Sequence, residues 1–213
     1  MSVSKIKVLL VDDHAVVRNG IRLMLGMAAD IDVRAEAETA QDALHAARGE
    51  DFDVVVVDIN LPDSSGLDLI KRLRELPAKP AVVVLSAYPE EVYALRAFKH
   101  GAAAYLNKRS GADAIIAAVR KVAAGGKYVS PAVMERFAGM IGGDQIAMHD
   151  KLSDRELEVL KHVAAGESLV RIAELLHLSP STVTTYRARV LGKMGMKSNA
   201  ELTRYALEHG LLG

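Results

Sequence analysis

Through the first 125 positions, short apolar runs alternate with stretches whose apolar residues recur at helical spacing. Ile6–Val11 reads as a strand that runs directly into Asp12 and Asp13. An amphipathic helix follows over Ala15–Ala28, with Val17, Ile21, Met24 and Leu25 in phase. Asp32–Ala37 is a second strand, and Thr39 caps a helix reaching Arg48. Val54–Val57 and Ala81–Leu85 are unbroken apolar runs without alternation, the pattern of parallel strands covered on both faces. Glu90–Lys99 reads as a helix, Ala103–Leu106 as a strand, and Asp113–Ala124 as a last helix closed by Gly125-Gly126. The alternation predicts a doubly wound α/β domain of five parallel strands and five helices.

From Lys127 the pattern loosens. Ser130 and Pro131 supply a cap and a first-turn proline for a short helix to Ile141, ended by Gly142-Gly143. A hinge is expected near Gly142–Asp150. Beyond it every periodic stretch is helical. Ser153 with Glu156 forms a capping box for a helix to Ala165. A helix over Leu169–His177 and a third from Pro180 to Met194, capped by Ser179, are joined by a short turn, which reads as a helix-turn-helix. Asn199–His209 is the fourth helix of an all-α unit. The expected division is therefore residues 1–126, a linker over 127–149, and 150–213.

Composition narrows the picture. The 213 residues contain no cysteine, so disulfides, thiol nucleophiles and thiolate metal sites are excluded. No apolar run approaches the ~20 residues of a membrane helix, and Met1–Leu10 lacks the features of a signal peptide, so a cytoplasmic protein with no membrane partner is expected. Formal net charge is zero. Within the second unit, however, no acid occurs from Leu175 to Ala200, whereas Arg187, Arg189, Lys193 and Lys197 do.

The first strand offers no glycine-rich phosphate loop. It ends in two acids, and the third strand ends in a further acid, Asp58. Strand carboxyl ends line the crevice of a doubly wound sheet, so Asp12, Asp13 and Asp58 are expected to converge. Like charges brought together favour a bound proton or cation, and an all-oxygen site suits Mg²⁺. Ser86 and Lys108 follow later strands. A cation, a hydroxyl and an ammonium around one carboxylate suit phosphoryl transfer to that carboxylate. His14, beside the acids, is read as their charge partner.

These pieces together, the Asp12-Asp13 pair, "VVVVDINLPDSSG" with Asp58, Pro62 and Gly66, Ser86-Ala87, and "GAAAYLNK" ending at Lys108, resemble a two-component response-regulator receiver domain. The resemblance implies that Asp58 is the phosphoacceptor. It also implies that Asp12, Asp13, Asp58 and the Asn60 carbonyl hold Mg²⁺, and that Ser86, Ala87 and Lys108 meet the phosphoryl group. Tyr105 falls at the family's aromatic switch position, with plain packing as the other reading. Arg109-Ser110 stands where many receivers have a proline.

On the Pro180–Met194 helix, Val183, Val190 and Met194 share one face, flanked by Tyr186 and Leu191. Thr184, Thr185, Ala188 and Gly192 lie opposite, with Arg189 at the border. A small polar face rimmed by cations fits a DNA major groove. The second unit resembles the LuxR-type DNA-binding domain, and the whole chain a response regulator of the NarL/FixJ type. DNA contacts are then expected from Ser181, Thr182, Thr184, Thr185, Arg187, Ala188, Arg189, Lys193 and Lys197. Tyr186 is open between packing and a phosphate contact.

The expected function is a DNA-binding transcriptional regulator, not an enzyme by role, switched when a separate histidine kinase or an acyl-phosphate donor phosphorylates Asp58. It is expected to act as a homodimer on two-fold promoter sites. One alternative is a receiver that works unphosphorylated as a dimerisation platform. The other, a Mg²⁺-dependent phosphohydrolase, fits poorly because Asn60 stands where such enzymes place a second acid.

Overall fold

The computed structural model describes residues 5–142 and 147–212. They fall into two compact units, Met1–Phe137 and Ala138–Gly213. Much of the hinge expected near Gly142–Asp150 lies outside the described residues.

The first unit alternates strand and helix: β1 (Ile6–Val11), α1 (Ala15–Gly26), β2 (Ile31–Ala37), α2 (Ala40–Gly49), β3 (Val54–Val57), α3 (Gly66–Arg74), β4 (Ala81–Ser86), α4 (Glu90–His100), β5 (Ala104–Asn107) and α5 (Ala112–Ala123). The strands form one parallel sheet in the order β2-β1-β3-β4-β5. Residues 54–57 are all buried, as an unalternated run between two helical layers requires. Burying each such valine contributes about 1.5–3 kcal/mol. Thr39 caps α2 as expected, accepting from the Asp42 amide. Helix α1 stops two residues short of its expected end, because Met27 and Ala28 bond three residues back, to Met24 and Leu25, and tighten the last turn.

The sheet order has one consequence for chemistry. Strand β1 has β2 on one side and β3 on the other, so the crevice opens at the ends of β1 and β3. Val11 is registered against Val57. The next residue on each strand is an aspartate, so Asp12 and Asp58 stand side by side.

A helix, α6 (Pro131–Gly142), runs across the division between the units. Within the second unit a 3-10 turn spans Met148–Lys151, which the sequence pattern did not suggest. Four helices follow: α7 (Asp154–Ala164), α8 (Leu169–Leu175), α9 (Pro180–Met194) and α10 (Asn199–Glu208). The capping box of α7 is formed in both directions between Ser153 and Glu156. Helix α8 ends earlier than expected. His177 takes a left-handed conformation, φ 52°, and the Leu178 amide turns back to the Ala173 carbonyl. The core collects Leu157, Leu160, Ile172, Val183, Val190, Met194 and Leu202, one apolar stripe from each helix. Among the described residues no helix is long and apolar enough to cross a membrane.

Candidate functional site

At the crevice of the first unit, Asp12 and Asp58 are almost fully buried, while Asp13 and His14 lie further out. Lys108, the residue after β5, reaches back across the sheet. Its Nζ lies 2.6 Å from Asp12 Oδ2 and 2.6 Å from Asp58 Oδ2. The strand ends fix that reach, because the Lys108 amide donates to the Ser86 carbonyl and the Asp58 amide to the Val11 carbonyl. Burial disfavours the Asp58 carboxylate and its pKa is raised, the hydrogen bond from Lys108 offsetting only part of the cost. Burial also works against the Lys108 ammonium, but its hydrogen bonds to Asp12 and Asp58 outweigh this and its pKa is raised.

One ammonium faces three carboxylates, so the pocket keeps an excess of negative charge. Asp12, Asp13, His14 and Asp58 each offer a donor atom, and these atoms lie within 4.8 Å of one another. The donor set is therefore compatible with a bound metal ion, mostly through hard oxygens. His14 is already engaged locally: Nδ1 is 2.7 Å from Asp13 Oδ1, and its amide donates to Asp12 Oδ1 at 2.9 Å.

The other expected residues of this pocket are spread around it. Ser86 is buried at the end of β4, and its hydroxyl oxygen accepts from the Tyr88 amide at 3.2 Å. Ala87 and Asn60 are exposed at the mouth. Tyr105 is buried, and its hydroxyl donates to the Tyr88 carbonyl at 3.0 Å, tying β5 to the loop after β4. That burial raises the Tyr105 pKa.

Three supporting residues escaped the sequence reading. Arg18 on α1 donates to the Asp12 carbonyl at 2.7 Å and is itself held by Glu36 and Glu38. Asp63 accepts from the Ala40 and Gln41 amides at 2.8 and 2.9 Å, anchoring the loop after β3 to the start of α2. Gly66 packs so closely that a Cβ there would lie 2.2 Å from the Asp58 carbonyl oxygen. Arg18 and Asp63 act across elements, so no local spacing marks them. Gly66 was noted only as part of a motif.

In the second unit α9 buries Val183, Val190 and Met194 and exposes Thr184, Thr185, Ala188, Arg189 and Gly192. Ser179 caps the helix, and its hydroxyl lies 2.8 Å from that of Ser181 and 2.7 Å from that of Thr182. Two of the expected cations are engaged within the unit. Arg187 Nε donates to Asn199 at the start of α10 at 2.7 Å. Lys193 Nζ donates to Glu156 at 2.6 Å, on a carboxylate that also caps α7. Burial opposes the Glu156 charge, but Lys193 and Ser153 overcome it and hold its pKa below the usual carboxylate value. Arg189 lies over the Tyr186 ring at 5.9 Å. Lys197 lies exposed beyond the end of α9.

Both units match known families. Residues 8–120 match the response regulator receiver domain, and residues 150–206 match the luxR family of bacterial regulatory proteins. The chain belongs to the response regulators. The response regulator GacA of Pseudomonas aeruginosa is 35% identical over 97% of this chain and 98% of its own length. The transcriptional regulatory protein UhpA of Salmonella typhimurium is 38% identical over 92% of this chain and 95% of its own. Among solved structures, the response regulator ChrA of a heme-sensing two-component system aligns with a TM-score of 0.55 at 31% identity, covering 98% of this chain and all of that one. RcsB of Salmonella typhimurium aligns at 0.75 with 21% identity over 96% of this chain and 98% of its own, a likeness of fold. The chain thus has the architecture of a DNA-binding response regulator, with a candidate phosphoacceptor cluster in its first unit.

Proposed function

We propose that Asp58 is the phosphoacceptor of this response regulator and that its phosphorylation controls DNA binding by residues 150–213, across a linker at 127–149. The observation that carries the reading is the Lys108 ammonium, 2.6 Å from both Asp12 and Asp58 in a pocket with surplus carboxylate. An oxygen of Asp58 attacks the phosphorus in line, and an O–P bond forms. The donor's bond to phosphorus, N–P in a phosphohistidine kinase or acyl O–P in a small donor, breaks and leaves with its electron pair. Asp12, Asp13, Asp58 and the Asn60 carbonyl would hold Mg²⁺, which supplies positive charge to the phosphoryl oxygens when bound. Lys108 exchanges its Asp58 contact for the incoming phosphoryl oxygens. The Ser86 hydroxyl and the backbone at Ala87 turn to the same dianion, and the Tyr105–Tyr88 tie passes that movement to the β4–α4 loop.

In the second unit Thr184, Thr185 and Ala188 face base edges, while Arg189 and Lys197 contact phosphates. Ser181 and Thr182 lie at the helix N-terminus, where a backbone phosphate is favoured. Arg187 and Lys193 were expected among the DNA contacts; their bonds to Asn199 and Glu156 support a different role, holding α9 against α10 and α7. Two copies acting together on a two-fold site would double the small contact that one such unit makes.

Intact mass after incubation with acetyl phosphate and Mg²⁺ tests the site. One added phosphoryl group is expected, absent in Asp58→Asn and absent after chelation. Labelling of Asp58→Asn would overturn the assignment.

A further inference from the structure

The exposed face of α9 has a particular chemistry for a helix proposed to lie in a major groove. Thr184 donates its one hydroxyl proton to the Pro180 carbonyl at 2.9 Å, and Thr185 donates its own to the Ser181 carbonyl at 3.0 Å. A threonine bonded back along its helix has no polar hydrogen left to offer. What remains is a methyl group and oxygen lone pairs. Ala188, one turn further on and exposed, adds a third methyl. Gly192 completes the strip, with nothing within 4 Å of where a side chain would begin. The donors that could have served this face are drawn to its edges: Arg187 to Asn199, Lys193 to Glu156, and Arg189 over Tyr186.

In the major groove guanine shows two acceptors, so reading it calls on a protein hydrogen-bond donor that these three residues lack; adenine and cytosine show an amino donor that the threonine lone pairs could meet. Thymine is the base that shows a methyl group. We propose that α9 reads thymine through its C5-methyl group, and that Thr184, Thr185 and Ala188 discriminate by their methyls and not by hydroxyl hydrogen bonds. The inference rests on the DNA-binding reading given above. The small size of these three residues serves it, since a methyl–methyl contact needs closer approach than a water-bridged polar one.

The test uses the full chain treated with acetyl phosphate. Preferred duplexes are selected from a randomised library, and each thymine of the selected site is then replaced by deoxyuridine, which removes the methyl and leaves the pairing. Replacement at thymines facing α9 is expected to weaken binding by about fourfold per methyl, the scale of one buried methyl-sized group. Deoxyuridine in the flanks serves as the neutral control. Thr184→Val and Thr185→Val, which keep the methyl and lose the hydroxyl, are expected to keep the parent's fold-loss on replacing thymine by uracil, whatever their absolute affinity. Thr184→Ser and Thr185→Ser, which keep the hydroxyl and lose the methyl, are expected to bind the thymine site as weakly as the parent binds the uracil one. Both positions are exposed, so circular dichroism is expected to be unchanged in all four variants. Indifference to uracil at every position would overturn the proposal, as would serine variants that keep the preference while valine variants lose it. A selection that enriches no sequence would instead overturn the DNA-binding reading on which it stands.

Discussion

Asp58 carries a cost in the folded chain. Its carboxylate is buried beside Asp12, and burial raises its pKa. The sign follows directly: a raised folded pKa means that this group contributes stability when protonated, and that contribution is lost as the pH rises through the folded value. At neutral pH the charge is therefore a liability. Asp58→Asn, which removes the charge and keeps the shape, is expected to raise the thermal midpoint by a few degrees, about 1 kcal/mol, while abolishing phosphorylation. Calorimetry on the two chains checks it; a lower midpoint in the variant would contradict the account. The same surplus of negative charge predicts that Mg²⁺ raises the midpoint of the parent protein and that chelation reverses it. Asp13→Asn is expected to lose most of that response, because Asp13 gives an outer carboxylate to the cluster.

Between elements, a few contacts set the geometry of each unit. Gly66 lets the start of α3 lie against the Asp58 carbonyl, so Gly66→Ala forces backbone apart and is expected to cost about 2–4 kcal/mol. Phosphorylation is expected to slow in the same variant, since the displaced backbone bears Asp58 itself; an unchanged rate and midpoint would contradict the packing argument. In the second unit the Lys193–Glu156 bond pins α9 to α7. Lys193→Ala is expected to lower the stability of that unit, leave the salt dependence of DNA binding unchanged, and be restored in part by Lys193→Arg. A salt dependence reduced by one phosphate contact would return Lys193 to the DNA. The pair has its own pH signature. The lowered Glu156 pKa contributes stability present above the ordinary value of 4.5 and lost as pH falls through the folded one. The difference in stability between parent and Lys193→Ala is accordingly expected to shrink as the pH is taken below that range, which denaturant titration at several pH values measures.

For the whole molecule, the proposed function links phosphoryl acceptance in the first unit to DNA recognition in the second. On the proposed reading, phosphorylation at Asp58 would replace a carboxylate with a dianion, and the Lys108, Ser86 and Tyr105 contacts are the ones that would rearrange. Sedimentation of the full chain with and without acetyl phosphate is expected to shift toward dimer with the donor, and the shift is expected to vanish in Asp58→Asn. A monomer in both states, on DNA as well as free, would remove dimerisation from the mechanism.

The strands, most helices and their caps were legible because each is dictated locally: an unalternated valine run, a serine three residues before a glutamate, a proline at a first turn. The acids of the pocket were legible for a related reason, since residues at strand ends in a doubly wound sheet share a crevice wherever they fall in the chain. Register is different. That Asp12 stands beside Asp58 follows from Val11 facing Val57, a pairing settled by the packing of the whole sheet. Likewise the sequence marks Arg18 and Asp63 only as charged residues and Lys193 only as a cation toward DNA, and whether each meets solvent, a helix end or a buried carboxylate depends on elements far away in the chain. Sequence determined which residues could carry the chemistry. Tertiary structure decided which partners those residues meet, because a charge such as that of Lys193 pairs with a carboxylate on another helix that no local spacing marks.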